Sequence, residues 1–390
     1  MYQCSPLVSV IIPAYNAEAF ISQTLNSVLS QTYKNIEVLV ADDGSQDRTP
    51  EIVKSIAQKD QRVTLLQQSN QGVAAARNLA IENSRGEYIA PIDADDIWYP
   101  LKLERQMQCM LQAQPFVGLV YCWSAWIDEQ GSIIGEYRDY GFDKLEGNIY
   151  PALVYHNFIG HASSPLIRRT CLEKVGKYNC KLKENKAQGC EDWDLYLRIA
   201  ENYQFRLVPE FLVGYRQLTT SMSGSAISMA RSYELVLTNS QQQHPEVSSS
   251  LYQWSKGHFY NYLFGKSYFC GANWNSFLFL VKALQSDLML FLRPSVYKLF
   301  VICLLKVVLK PLTSLIWPDH YSWVQFKQKL RLNKQSNQRR EMTIADITEQ
   351  AKKSKQLWKP YDRVLRQRWL KVMQMCQPPS SQTFRQKISV

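Results

Sequence analysis

Closely spaced carboxylates occur at two places in the sequence. Asp93, Asp95 and Asp96 follow an apolar, β-like segment, and Glu191 and Asp192 lie together much later in the chain. Side chains two positions apart on an extended chain point to the same side, so Asp93 and Asp95 would repel each other unless a cation is present. Such pairs suit Mg²⁺, which also takes water and phosphate oxygens as ligands. The same residue types also fit a turn or the first turn of a helix, so both interpretations stay open.

The elements that must position these carboxylates are visible as an alternating pattern in the N-terminal part of the chain. Short apolar segments alternate with segments whose apolar residues recur at helical spacing. The predicted strands are residues 8–12, 37–41, 63–66 and 88–92, and the predicted helices are residues 18–29, 49–57 and 73–81. Strands that are apolar throughout indicate a parallel sheet covered on both faces, and therefore an α/β fold.

Polar or acidic residues directly follow three of the four predicted strands. They are Pro13-Ala14-Tyr15-Asn16, Asp42-Asp43-Gly44-Ser45 and Asp93-Ala94-Asp95-Asp96. Because open α/β sheets bind ligands outside the carboxyl ends of their strands, these segments should meet at one edge. The sequence has no G-x-x-x-x-G-K-[ST] loop and no G-x-G-x-x-G after its first strand, which argues against P-loop and dinucleotide-binding proteins. A nucleotide bound at this edge would need a divalent metal to hold its phosphates.

Five segments of the chain closely resemble, in order and spacing, the family 2 glycosyltransferases of GT-A fold. They are SVIIPAYN (9–16), SVLSQTY (27–33), VADDGSQDRT (40–49), GVAAARN (72–78) and GEYIAPIDADD (86–96). The resemblance covers roughly residues 5–220. It implies a Rossmann-like, mostly parallel sheet flanked by helices.

The resemblance also implies a nucleoside site at the ends of the first two strands. Pro13, Tyr15 and Asn16 would border the nucleoside, with Tyr15 near the base. Asp43 would be the carboxylate that recognises the base, with Asp42 beside it.

The same resemblance implies different roles for the two carboxylate clusters, Asp93–Asp96 and Glu191–Asp192. Arg77 would face the nucleoside. The segment Asp93-Ala94-Asp95 resembles the D-x-D motif, in which Asp95 would ligate the Mg²⁺ or Mn²⁺ on the diphosphate and Asp93 would support the ribose or the metal. Asp192 resembles the catalytic base, which takes a proton from the attacking acceptor hydroxyl. One base and one displacement imply inversion of the anomeric centre.

Residues 214–223 resemble the segment that often closes this domain, where relatives commonly carry His at the position of Leu218. His161 could replace that His in space, although a structural His is the simpler interpretation. The Q-x-x-R-W motif of processive polysaccharide synthases is missing from the sequence. We therefore expect one sugar to be added per event.

The expected function is an inverting glycosyltransferase of cell wall or polysaccharide biosynthesis. It would move a sugar from a nucleotide-sugar, by default a UDP-sugar, to a hydroxyl of a glycan or lipid-linked saccharide. One alternative is a metal-dependent nucleotidyltransferase, which usually has a Gly-rich or basic phosphate loop where this chain has residues 13–16. The other is a non-catalytic binding protein acting through a basic tail, which would have no need of Asp43, Asp95 and Asp192.

Charge and pattern divide the chain into three parts. Residues 1–220 are the predicted catalytic domain, residues 221–318 a helical extension, and residues 319–390 a basic tail. The tail has 16 Lys and Arg against 5 Asp and Glu, which equals the whole formal net charge of +11. In residues 1–318 the positive and negative charges balance, so no specific nucleic-acid partner is expected. The tail itself could be solvated or could meet an anionic surface.

Membrane contact is a further expectation for the helical extension. Residues 277–292 and 296–309 are apolar, and Lys298, Lys306 and Lys310 share one face of a helical wheel. Such a helix could lie in a membrane interface or pack on the catalytic domain. No apolar run reaches the roughly 20 residues of a spanning helix, and the start of the chain does not resemble a signal peptide. With nine Cys and no C-x-x-C pair, we expect a cytoplasmic protein with reduced thiols, peripheral on the cytoplasmic face of an anionic membrane.

Overall fold

The computed structural model describes residues 5–137, 145–218, 226–270, 272–292, 294–308, 342–353 and 360–376. Its strands are β1 (Val8–Ala14), β2 (Ile36–Asp42), β3 (Val63–Gln67), β4 (Tyr88–Pro91), β5 (Ile97–Trp98), β6 (Val117–Ile127), β7 (Ile133–Tyr137), β8 (Leu166–Arg168) and β9 (Gln204–Arg216). Its helices are α1 (Ile21–Leu29), α2 (Thr49–Ala57), α3 (Val73–Glu82), α4 (Lys102–Gln112), α5 (Tyr150–Tyr155), α6 (Arg169–Val175), α7 (Lys181–Glu184), α8 (Glu191–Ala200), α9 (Ala226–Gln243), α10 (Ser249–Phe269), α11 (Asn273–Ser286), α12 (Pro294–Val308), α13 (Ile344–Lys353) and α14 (Pro360–Cys376). A 3-10 helix covers Leu288–Leu292.

These strands form one sheet in the order β3-β2-β1-β4-β8-β6-β9-β5, with β7 paired to β6. The pairings of β1 with β2, β1 with β4, β2 with β3 and β6 with β9 are parallel. In contrast, β5, β7 and β8 join through antiparallel pairings. The α/β fold expected from the sequence is confirmed. All four predicted N-terminal strands are present, and their carboxyl ends lie at one edge of the sheet.

The two faces of the sheet are buried in different cores, which explains why the strands are apolar throughout. Val10 and Val38 pack in one core with residues of α1 and α4. Their neighbours Ile11 and Leu39 pack in the other core with residues of α3 and α8. All seven residues of β1 are buried. Burial on both faces fixes the register of the strands, and with it the positions of the loops that follow them.

The first helix is shorter than the pattern predicts. A helix is expected from residue 18, but α1 begins at Ile21. The N–H of Ala17 donates to the Thr49 hydroxyl at 2.8 Å, and the N–H of Glu18 donates to the Asp47 carboxylate at 3.0 Å. These bonds join the turn after β1 to the turn after β2, so these two loops at the carboxyl edge of the sheet stabilise each other.

The apolar segment 277–292 is also interrupted, at Asp287. There α11 ends and the 3-10 helix begins. The buried carboxylate of Asp287 accepts hydrogen bonds from both terminal nitrogens of Arg368, at 2.5 and 2.8 Å, and one from the N–H of Met289 at 3.0 Å. A buried ion pair of this kind is costly to break, because the remaining charge would be left without a partner.

Arg368 belongs to α14, so part of the expected basic tail is packed against the rest of the protein. On α14, Val372 is fully buried, and on α13 Ile347 packs in a small cluster with Ala125 and Phe211 of the sheet. The solvated-tail interpretation therefore does not hold for these two helices. The other positions of the tail, residues 319–341, 354–359 and 377–390, lie outside the described residues, as do residues 1–4 and Lys310.

Within the described ranges, no helix is both long and apolar enough to cross a bilayer. Seven cysteines are free in the same ranges.

Candidate active site at the carboxyl edge of the sheet

Asp43 holds the loop before α3. Its carboxylate, 4% exposed, accepts hydrogen bonds from the Gln71 N–H, the Gly72 N–H and the Gln68 side-chain amide, each at 2.7 Å. Gly72 has φ +90°, a conformation that side-chain-bearing residues rarely adopt, and it directly precedes α3. A carboxylate has about four acceptor sites, so Asp43 keeps roughly one for a ligand.

The neighbouring residues shape the same corner of the edge. Asp42 is 2% exposed and accepts the Ser45 N–H at 3.2 Å, which closes the turn after β2. Asn16, with φ +49°, donates its N–H to the Ser45 hydroxyl at 2.9 Å and accepts the Gln46 N–H at 2.8 Å. Tyr15 is half exposed at the rim, whereas Pro13 is buried at the end of β1. The five predicted nucleoside residues before Arg77 therefore do lie together.

Arg77 joins the two carboxylate clusters. Its guanidinium is 2% exposed and donates to Asp93 at 2.6 Å and to Glu191 at 3.0 Å. Burial alone would lower the pKa of Arg77, but the negative charges around it raise the pKa well above its ordinary value. Arg77 thus lies between the carboxylates, and its expected contact with a nucleoside remains a prediction.

Asp192 is the second residue of α8 and lies beside this ion pair. Its carboxylate is partly exposed and accepts the Trp193 N–H at 2.6 Å. Burial and the adjacent Glu191 raise the pKa of Asp192 to about 7, although Arg77 acts in the opposite direction. The Tyr178 ring lies 5.1 Å from the Arg77 guanidinium, and its hydroxyl is buried without a hydrogen-bond partner among the described residues. A carboxylate with a pKa near neutrality can take up a proton during a reaction and release it afterwards.

The turn that carries Asp95 and Asp96 is fixed by Arg216 at the end of β9. The Arg216 side chain donates to the Asp95 carbonyl at 2.7 Å, and its N–H donates to the Asp96 carboxylate at 2.9 Å. The same guanidinium binds the carbonyls of Asp128 and Glu129, at 2.6 and 2.8 Å. A second residue, Thr24, donates its hydroxyl to the carbonyls of Ala94 and Asp96. These bonds anchor the turn through its carbonyls and the Asp96 carboxylate, and none of them involves the Asp95 carboxylate.

Ser163 also stabilises the acidic turn through hydrogen bonds. Its hydroxyl donates to Asp96 at 2.5 Å and accepts the Asp93 N–H at 3.0 Å. His161 is 3% exposed and accepts the Ser163 N–H at 3.3 Å, and burial lowers the pKa of His161 to about 4. His161 is therefore neutral and enclosed, as its structural interpretation expects. Leu218, at the position where relatives carry His, is the last described residue of this segment.

The residues present suit a hard divalent cation. Burial and the charge of Asp93 raise the pKa of Asp95 to about 6, a sign of like charges held together. Oxygen ligands from Asp93 and Asp95 match the preference of Mg²⁺ and Mn²⁺. Among the described residues no three His, Cys, Asp or Glu side chains form a complete cage. The remaining ligands would have to come from water and from a bound diphosphate.

Sequence reasoning found the carboxylates and missed the residues that orient them. Ser163 has no signal in the sequence, because its contacts depend on a loop 67 residues from Asp96. Arg216 lies in the matched segment 214–223, but its role as an anchor follows from the antiparallel pairing of β9 with β5, in which Gly214 lies opposite Ile97 directly after the acidic turn.

The chain is similar in sequence to known glycosyltransferases. The family model described as glycosyl transferase family 2 matches residues 9–176. An uncharacterized glycosyltransferase of Rickettsia typhi is 31% identical over 233 residues, which is 59% of this chain and 70% of that protein. Another from Methanocaldococcus jannaschii is 34% identical over 218 residues, covering 54% of this chain and 71% of that protein.

The fold is similar to that of a solved glycosyltransferase. The mannosyltransferase PcManGT from Pyrobaculum calidifontis, solved in complex with GDP-Man and Mn²⁺, has a TM-score of 0.52 to this chain. The likeness covers 77% of this chain and 85% of that one, at 20% identity. This likeness concerns the fold, and it agrees with the GT-A architecture expected from the motifs.

We predict that Arg77→Met destabilises the protein by about 3 kcal/mol, because buried carboxylates lose their shared cation. The loss should be larger at pH 8 than at pH 5. Asp192, with a pKa of about 7, is charged at pH 8 and repels Glu191, whereas at pH 5 it is protonated. Urea unfolding of both proteins at the two pH values measures this difference.

The matched control is Arg85→Met, since the Arg85 side chain is 82% exposed and pairs with Glu37 at the surface. That change should cost no more than about 1 kcal/mol at either pH. Equal losses for the two variants would contradict the bridging role of Arg77.

Proposed function

The chain belongs to glycosyl transferase family 2, and from that premise we propose that it is an inverting enzyme that transfers one sugar per event. The donor is a UDP-sugar, and the acceptor is a hydroxyl of a glycan or lipid-linked saccharide. The observation that carries this proposal is the ion pairing of Arg77 with both Asp93 and Glu191. It supports one reaction site in which a diphosphate-binding turn and a potential base share an edge. Family membership favours this function over the nucleotidyltransferase and the non-catalytic binding protein.

The preference for UDP over GDP rests on the hydrogen bonds of Asp43. Three of its roughly four acceptor sites are used by the chain itself. The remaining site suits a base with a single ring N–H between two carbonyls, as in uracil. Guanine presents two adjacent donors and would need a carboxylate with both oxygens free. The half-exposed ring of Tyr15 could cover the face of the base from the rim.

In the proposed reaction Asp95 and Asp93 hold the diphosphate end of the donor. A bound Mg²⁺ or Mn²⁺ would neutralise charge on the leaving diphosphate. Arg77 keeps Asp93 in place and offsets part of the negative charge near Asp192. Asp192 accepts the proton of the acceptor hydroxyl as that oxygen attacks the anomeric carbon from the side opposite the nucleotide. A single displacement inverts the anomeric centre.

Two substitutions should separate donor binding from proton transfer. Asp95→Ala should abolish Mn²⁺-dependent binding of UDP, because it removes the carboxylate proposed to ligate the metal. Asp192→Asn should bind UDP normally but lower transfer by about 10²–10⁴-fold, because an amide cannot accept the proton. Calorimetry with UDP and Mn²⁺, followed by product mass analysis over a panel of UDP-, GDP- and TDP-sugars, measures both effects.

Asp60→Asn serves as the control for both substitutions, since Asp60 precedes β3 at the opposite edge and pairs with Arg62. It should leave UDP affinity and transfer unchanged. Normal transfer by Asp192→Asn would show that the base assignment is wrong.

The pH dependence of transfer should follow Asp192. A base must be deprotonated to act, and the pKa of Asp192 is raised to about 7. We therefore expect kcat/KM to fall about tenfold per pH unit below 7 and to level off above it. Donor affinity measured over the same pH range separates this effect from titration of the metal site. A flat profile between pH 5.5 and pH 8 would speak against Asp192 as the base.

We further propose that the helical extension touches an anionic membrane at the cytoplasmic face. At the start of α12, Val296 is 4% exposed and Leu299 packs on the core. Leu288 and Leu292 of the 3-10 helix are 72% and 56% exposed, and Val301 and the later leucines of α12 are also exposed. Apolar side chains that project from an otherwise packed helical region, near the exposed Lys298, are typical of an interfacial anchor.

Flotation with vesicles containing phosphatidylserine tests the membrane contact. Binding should be strong at low salt and weaker at high salt, since each Lys near the surface contributes about 1 kcal/mol. Leu288→Ser with Leu292→Ser should abolish flotation. Leu111→Ser is the control, because Leu111 is 55% exposed but lies on α4. No flotation of the unaltered protein at low salt would end this proposal.

A further inference from the structure

An aromatic row borders the acidic turn on the side away from the Asp42–Asp43 corner. Trp126, Tyr137 and Tyr215, here called the aromatic wall, come from the neighbouring strands β6, β7 and β9. The Trp126 and Tyr137 rings have centroids 6.2 Å apart, and the Tyr137 and Tyr215 rings 6.4 Å. The mechanism proposed above uses none of these side chains.

Strand register explains why the three rings share one face. Trp126 lies directly opposite Tyr215 in the β6–β9 pairing, and Tyr137 lies opposite Ser124, two residues before Trp126. Because alternate residues of a strand face the same side, these positions all project to one side of the sheet.

Two glycines give the rings their space. Gly135 lies opposite Trp126, and a Cβ there would approach the indole to 3.0 Å. A Cβ on Gly160 would overlap the Tyr137 ring. Trp126 nevertheless remains 37% exposed. An indole that lies flat against backbone and keeps an open face is suited to stacking on a ligand.

The wall adjoins the acidic turn directly. Tyr215 precedes Arg216, the anchor of Asp95 and Asp96, and stacks on His161 at 4.3 Å with an interplanar angle of 3°. Burial and the charge of Asp96 raise the pKa of Tyr215, so its phenol stays neutral.

From this arrangement we propose that the aromatic wall forms the acceptor subsite, and that the acceptor presents a neutral pyranose ring to Trp126. This inference rests on the proposed function, in which the donor nucleoside lies at the Asp42–Asp43 corner. A pyranose has a face of C–H groups that packs on an aromatic ring, and its hydroxyls can bond to the phenols.

Charge favours a neutral sugar on the wall. The Asp95 carboxylate belongs to the adjoining turn, and an anionic group would be repelled there. Four of the five side-chain N–H groups of Arg216 already donate to the carbonyls of Asp95, Asp128 and Glu129 and to the side chain of Gln23, which leaves little of its hydrogen-bonding capacity for an anionic acceptor.

Saccharide binding by Trp126 variants tests this subsite. The probes are cellobiose, maltose and N,N′-diacetylchitobiose, each titrated by saturation-transfer NMR with and without UDP and Mn²⁺. One or more of these disaccharides should bind the unaltered protein. Trp126→Ala should lower the affinity for that disaccharide about fivefold or more, and Trp126→Phe should restore most of the lost affinity. Trp274→Ala, which removes a 58% exposed Trp on α11, should have no effect.

Donor affinity provides the second readout. UDP should bind Trp126→Ala as it binds the unaltered protein, and intact UDP binding also shows that the variant folds. Equal disaccharide binding by Trp126→Ala and the unaltered protein would overturn the subsite, as would binding of none of the three probes. Failure of the unaltered protein to bind UDP would instead reject the proposed function. The two outcomes can be told apart, because the titrations without UDP test saccharide binding to the aromatic wall separately.

Discussion

A single buried guanidinium joins the two carboxylate clusters of the candidate site. Arg77 comes from α3 in the parallel half of the sheet, and its partners Asp93 and Glu191 come from the turn after β4 and the start of α8. Removing such a charge from water has a large unfavourable free energy, which only close opposite charges offset. The protein can therefore bury Arg77 only when both carboxylates are in place, and this condition brings Asp192 to the sheet edge.

The carboxylates of this edge divide into two groups by their bonding. Asp43 accepts three hydrogen bonds from the chain and Asp96 accepts two, and these bonds fix the loops in which the two residues lie. Asp95 and Asp192 accept fewer such bonds, and burial together with a neighbouring carboxylate raises their pKa values, as it also raises the pKa of the enclosed Asp96. Groups of the first kind build a site, and groups of the second kind are suited to bind a cation or a proton.

The helices beyond the sheet are tied to it by similar contacts. The pairing of Asp287 with Arg368 ends α11 and docks α14, and α13 covers the outer face of β6 and β9 through Ile347. Part of a segment that looks like a basic tail is therefore structural.

The sequence by itself determined the alternation of strands and helices, the α/β fold and the acidic strand ends. These features follow from apolar periodicity and from the rule that parallel strands end at one edge, both of which are local. It could not reveal that Arg77 pairs with Glu191, that Ser163 and Arg216 anchor the acidic turn, or that Trp126, Tyr137 and Tyr215 form one wall. Each of these contacts joins residues far apart in the chain, and their meeting is decided by strand order and register. Only the tertiary structure sets that order, because burial of both faces of the sheet is a property of the whole core.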